Sequence, residues 1–236
     1  MEILTIVINY IRQTCSRIIV SNIKTGLDIL GPSRFRPGPP RNNATTFGWF
    51  FYLLDCGYLL IRGHMSAVRN IRMLTRYNKW ANNMLLGAIA TLPPDEVTKQ
   101  RAAAFGGMSF ALAHIGIVDQ IWRAHLLGID HGFKSRTTES PECLKLLAEK
   151  LNQMGDWYIQ YADTMSQSLL NEMVHFSFVD GGAGEMTRGD ILIHVCNHKT
   201  FHRGHIGDMF YQSGYMPPSI DLPVYIRDAF TESELG

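Results

Sequence analysis

The chain has 236 residues, 46% of them hydrophobic and 18% charged, enough to bury a full core as one domain with an appendage or as two small domains. A formal net charge of +1 gives no broad electrostatic footprint of the kind a phosphate backbone requires, so nucleic-acid binding is not expected. Four cysteines (Cys15, Cys56, Cys143, Cys196) lie far apart with no CxxC pair, which signals neither a disulfide framework nor a thiolate zinc site and fits a reducing cytoplasm.

Charge is uneven along the chain. Residues 1–64 hold seven Lys/Arg against three Asp/Glu, a net of +4, which leaves residues 65–236 with 15 against 18, a net of −3. The opening stretch, MEILTIVINYIRQTCSRIIV, can form a short amphipathic helix, but Arg12 and Arg17 fall inside its apolar part, unlike a secretory signal. Residues 31–43, GPSRFRPGPPRNN, carry four prolines and three arginines without apolar periodicity and read as an extended linker. The most apolar run, FGWFFYLLDCGYLLI at 47–61, falls short of the roughly 20 residues a bilayer needs and contains Asp55. An interfacial or core-capping helix is expected there in preference to a membrane span. From Met65 the texture turns to helical periodicity, and MSAVRNIRMLTRYNKWANN would itself make a protein N-terminus. Residues 1–64 are therefore read as an N-terminal extension, either a true one or upstream sequence included by too early a start codon, ahead of a helical domain over 65–236.

Four helices follow. The first is expected over residues 66–91, where Ile71, Leu74, Tyr77, Asn78, Ala81, Leu85 and Ile89 trace one stripe, and Pro93 and Pro94 end it. The second, over 108–127, puts His114, Ile117, Val118, Ile121 and His125 on one face, with Gly128 as its stop. A third should start with Ser140 as cap and Pro141 at the first helical position, and run through Leu144, Leu147, Leu151, Met154, Tyr158, Tyr161 and Met165. Alternation at Val174, Phe176 and Phe178 before DGGAG predicts a short hairpin insertion. The last helix opens on the capping pattern Thr187 to Asp190 and runs to about Gln212, closed by Gly214.

Four of the nine histidines fall on that last helix, at His194, His198, His202 and His205. At about 100° per residue they share a wedge with Ile191, Val195, Ile206 and Met209, so they face the core. Buried imidazoles need partners, which calls for hydrogen-bond networks or a metal. Two histidines four apart project together and can converge on one ion at about 2.0–2.1 Å; a third ligand must come from another helix, and His114 is on an inward face. A lone inward histidine is more often a hydrogen-bonded core residue, and HxxxH pairs also occur on solvated faces, so spacing by itself leaves the site open.

Beyond spacing, the string HVCNHKTFHRGHIGDMFYQSGYMPPSIDLPVYIRD, from His194 to Asp228, resembles the C-terminal signature of the DinB family, with its NHxxxHRG core and GxxPPxxD tail. YNKWAN in the first helix and LAHIGIVDQIWRAHLLG in the second are similar to the family's other two characteristic segments, so the resemblance covers about residues 66–230. It implies an all-α fold, a four-helix bundle with long connections, in which one histidine of the second helix and the HxxxH pair of the last hold a divalent transition metal. Carried over, these are His114, His198 and His202, a donor set that suits zinc, nickel or ferrous iron. Many relatives resemble HRGQ where this chain has HRGH, so His205 stands in place of a glutamine and could join or compete for the metal. His194 is expected in supporting hydrogen bonds or packing, Arg203 in an interhelical or interface contact, and Asp119 and Trp122 in structural roles. A homodimer is also implied, with residues 47–61 as a candidate covering element.

The leading functional expectation is a metal-dependent enzyme, hydrolase-like or thiol-transferase-like, whose open coordination positions activate water or a thiolate for a small-molecule substrate. The alternative is a non-catalytic metal- or ligand-binding stress-response protein, with His205 or His194 closing a four-ligand shell. A third reading is an interaction module whose histidines are core groups. No catalytic residue is assigned; Glu185 and Asp180 are candidate bases only if the hairpin folds over the metal, and a solvated turn is the plainer reading of both.

Overall fold

The computed structural model describes residues 66–235; the amphipathic N-terminal stretch, the Pro/Arg-rich linker and the apolar run at 47–61 lie outside the described residues. Helix α1 (Ala67–Ala90) begins where the Ser66 side chain accepts from the Arg69 amide at 3.1 Å, satisfying one of the donors a helix start leaves free. It ends at Thr91, and Pro94 opens the short α2 (Pro94–Thr98) at a position where its missing N–H costs nothing. Helix α3 (Met108–Leu127) stops at Gly128, whose φ of +66° favours a residue without Cβ. Helices α4 (Leu144–Asp163) and α5 (Gln167–Leu170) follow, then strands β1 (Met173–Ser177) and β2 (Ala183–Thr187), α6 (Arg188–Gln212), α7 (Leu222–Asp228) and a closing 3-10 turn at Glu232–Leu235.

The four long helices form a bundle in which α1 packs against α4 and α6, and α3 packs against the same two. The expected start of the third long helix is corrected: its cap is Cys143, not Ser140. Both backbone groups of Ser140 are engaged by the Thr138 hydroxyl, which holds Ser140 in a turn and delays the helix by three residues. The last helix starts as expected, with a reciprocal capping box between Thr187 and Asp190. The insertion is an antiparallel hairpin that pairs Val174 with Met186 and Phe176 with Gly184. Val174 and Phe176 turn into the bundle, and a Cβ at Gly184 would stand 2.6 Å from the Phe176 ring, so the ring occupies the space a side chain would need.

Two apolar clusters fill the bundle. One joins Leu85, Ile89, Met108, Leu112 and Ile115 to Ile206, Met209 and Phe210; the other joins Val118, Trp122 and Tyr158 to Phe176, Ile191 and Val195. His114 on α3, and His198 and His202 on α6, fall where these clusters meet, between Leu112 and Val118 on one helix and between Val195 and Ile206 on the other. The tail docks on α1 through Tyr225 and Leu235 against Tyr77 and Ala81, and the Tyr77 hydroxyl donates to the Ile220 carbonyl at 2.9 Å. Among the described residues, no helix is long and apolar enough to cross a membrane.

Candidate metal centre

One turn of α6 separates His198 from His202, so their rings stack up one face with centroids 4.3 Å apart, and α3 brings His114 to within 5.1 Å and 4.7 Å of them. One nitrogen from each ring lies within 4.8 Å of the other two, and among the described residues these three form the group placed to hold a metal ion. The His114 ring is oriented by its Nδ1–H, which donates to the Arg136 carbonyl at 2.7 Å. That bond fixes the neutral tautomer and leaves the Nε2 lone pair facing inward. The Phe105 ring stacks on His114 at 4.4 Å and meets His202 edge-on at 5.1 Å, closing the side of the group toward the α2–α3 connection.

One pair of these nitrogens stands at ligand spacing. His114 Nε2 and His198 Nε2 stand 3.2 Å apart, and two ligands at 2.0–2.1 Å from a tetrahedral ion stand roughly 3.3 Å apart. His202 Nδ1 is buried with no hydrogen-bond partner, an unsatisfied polar atom beside the same group. Burial, reinforced by His202, His114 and His194, pushes His198 down to about 3; burial, with His114 and His205, pushes His202 down to about 4; and burial lowers His114 against the pull of the Arg136 carbonyl. All three imidazoles are therefore neutral at pH 7, the form that binds metals.

The other histidines are sorted by their contacts. His194 packs its ring edge-on against Trp122 at 4.8 Å and stands 5.7 Å from His198, a packing role. His205 lies 5.4 Å from His202 and 4.4 Å from the exposed Phe201, outside the convergent three. His125 stacks on Phe176 of the hairpin at 5.0 Å, which ties β1 to α3.

Behind the triad, each ligand-bearing turn of α6 buries a cation. Lys199 follows His198, is 1% exposed, and reaches Asp119 on α3 at 2.7 Å, with its Nζ over the Tyr158 ring. Arg203 follows His202 and donates to Asn78 and Asn82 of α1 at 2.5 Å and 2.9 Å. Asp119 and Arg203 thus take the structural, interhelical roles expected of them; Lys199 was not expected. Burial raises Asp119 despite the Lys199 ammonium and pushes the adjacent Cys196 thiol up to about 11, so Cys196 is an inert thiol.

A pocket of about 330 Å³ opens over the triad, walled by Val118, Ile121 and Trp122 of α3 and by Phe178 and Val179 of the hairpin turn. The hairpin does fold over the mouth, but it contributes apolar side chains: Asp180 and Glu185 do not line the pocket and are 71% and 66% exposed. Arg136 also lines the pocket, and its guanidinium stands 3.8 Å from Asp180.

Comparison with known proteins agrees with the bundle and its signature. The curated Protein DinB of Bacillus subtilis (strain 168) is 26% identical over 167 residues, covering 67% of this chain and 95% of that protein. The profile of the DinB family matches residues 65–234, the whole described bundle, and the chain belongs to the DinB family.

Proposed function

We propose that the chain is a divalent-metal-dependent enzyme acting on a small molecule, its ion held by His114, His198 and His202. The observation that carries this reading is the convergence of three neutral imidazoles at the floor of an open pocket. Three protein ligands leave coordination positions free, the arrangement of catalytic rather than structural sites. When bound, zinc, nickel or ferrous iron would supply Lewis acidity able to activate water or a thiolate. The chain's own part is to hold the nitrogens in place and line the chamber with apolar surface. The Arg136 carbonyl fixes the His114 tautomer, Phe105 packs against two of the rings, and Trp122, Ile121 and Phe178 give the pocket an apolar lining.

One observation favours a second reading, a non-catalytic metal- or ligand-binding stress-response protein: no carboxylate lines the pocket among the described residues, so no general base stands beside the ion. Elemental analysis of untagged protein, wild type against His198→Ala, tests the shared part. About one equivalent of zinc, nickel or iron in wild type and none in the variant is expected. Absence of metal in wild type after reconstitution would return the histidines to core packing. A hydrolase and thiol-transferase substrate screen on the loaded protein then separates the two readings.

A further inference from the structure

The charge balance of the pocket points to what it admits. Three imidazoles are neutral ligands, so an ion held by them keeps its full double positive charge. The walls, built from Val118, Ile121, Trp122, Phe178 and Val179, add none, and among the lining residues Arg136 is the one that carries a fixed charge, also positive. A chamber of this size and polarity is costly to leave with uncompensated positive charge and rewards a ligand that brings a negative one. Its 330 Å³ has room for about ten non-hydrogen atoms, at the roughly 30 Å³ one water occupies in the liquid.

Arg136 is tied to the site from both ends. Its backbone carbonyl accepts from His114 Nδ1, which fixes the residue beside the ligand shell and in the pocket lining, while its guanidinium extends toward the hairpin turn. There its partner is Asp180 at 3.8 Å, with the two side chains 59% and 71% exposed, a loose contact that an incoming carboxylate can displace. A guanidinium on a residue of the pocket lining presents the fork that a carboxylate matches. Trp122 and Phe178 offer apolar ring surface in the same lining.

We propose that this pocket binds a small organic carboxylate with an apolar, ring-sized body, the carboxylate held by Arg136 and the body lying against Trp122 and Phe178. The proposal rests on the metal-centre reading and narrows it to a substrate class. It excludes neutral molecules of the same shape as good ligands, and it makes Arg136 a specificity residue.

The test loads the full chain with Co²⁺, checks stoichiometry by elemental analysis, and titrates benzoate and phenylacetate against benzamide and phenylacetamide by calorimetry. Each acid should bind about tenfold tighter than its amide. Arg136→Gln, which leaves the main-chain contact to His114 in place, should weaken the acids about fivefold, the size of one partly solvated ion pair, and leave the amides unchanged. Arg136→Lys should recover part of the loss. Full Co²⁺ loading with acids and amides bound equally, with neither bound, or with Arg136→Gln indistinguishable from wild type would overturn the proposal while the metal centre stands. Failure to take up Co²⁺ would overturn both.

Discussion

The two faces of α6 carry neighbouring residues to opposite ends. His198 and His202 face a pocket as neutral rings: the nitrogen partner of His198 Nε2 is another imidazole, His114 Nε2 at 3.2 Å, and His202 Nδ1 has no hydrogen-bond partner. Lys199 and Arg203, each one residue further on, are buried to 1% and 3% exposure, and the chain itself supplies polar partners for them: Asp119, Asn78, Asn82 and Thr200. Buried charge is tolerated on the rear face because its partners are built in. Unpartnered atoms remain on the rear face as well, at Asp119 Oδ1 and Asn82 Nδ2, but the front face is where three ring nitrogens converge beside a pocket that an exogenous ligand can enter. The rear contacts also set the rotation of α6 against α3 and α1, which decides where the two histidines point.

The comparison breaks most visibly at Lys199. Lys199→Met strands Asp119 in the core, and breaking one partner of a buried pair costs about 3–5 kcal/mol. Lys199→Met combined with Asp119→Leu removes both charges and should recover most of that loss in urea unfolding. The single variant should also weaken as pH rises, because a carboxyl whose folded pKa is raised binds its proton better in the native state than in the unfolded chain. A single variant within about 1 kcal/mol of wild type would show the rear face to be less committed than its burial suggests.

The front face should respond to metal instead. An ion at a thousandfold excess over its dissociation constant stabilises the native state by about 4 kcal/mol, which at this size is a rise of roughly 10 °C in midpoint. His198→Ala should abolish the shift while keeping the metal-free fold; a shift retained in that variant would place the ion elsewhere.

Acid should act on the front face and spare the rear. With His198 pushed down to about 3 and His202 to about 4, the native state binds fewer protons than the unfolded chain at any pH between those values and the ordinary histidine range near 6.5. Stability of the metal-free protein is therefore highest above that range and falls as pH drops through it toward 4, with the metal released along the way. Comparing unfolding at pH 7.5 and pH 5 for wild type and His198→Gln isolates the contribution: the variant should show a shallower decline, and parallel declines would remove His198 as its source.

Much of this was legible before any coordinates, for physical reasons that also explain the gaps. The helix ends at Ser66, Gly128 and Thr187 are written in local chemistry, since a cap is satisfied within three residues. Ser140 and Pro141 carry the same signal, but a hydroxyl two residues upstream takes the Ser140 backbone first, and a cap rule cannot weigh that competition. The triad was legible because four-residue spacing projects two rings together and the family signature named the third. Lys199 was not, because its partner lies 80 positions earlier and a lysine beside a histidine reads as solvated surface. Arg136 contributes through its carbonyl, and a backbone acceptor has no residue signature at all.

The smallest expected effect sharpens the comparison furthest. His205 sits one turn past the pair, in the place where many relatives resemble glutamine, and its ring packs on Phe201 with Nδ1 unpartnered. If the front face is open, as the convergence of His114, His198 and His202 without His205 implies, His205→Gln leaves metal stoichiometry at one and affinity within about threefold, less than 1 kcal/mol. A tenfold or greater loss of affinity would instead make His205 a fourth ligand. The chain would then close its own front face, and a closed shell of that kind belongs to a structural ion rather than to a catalytic one.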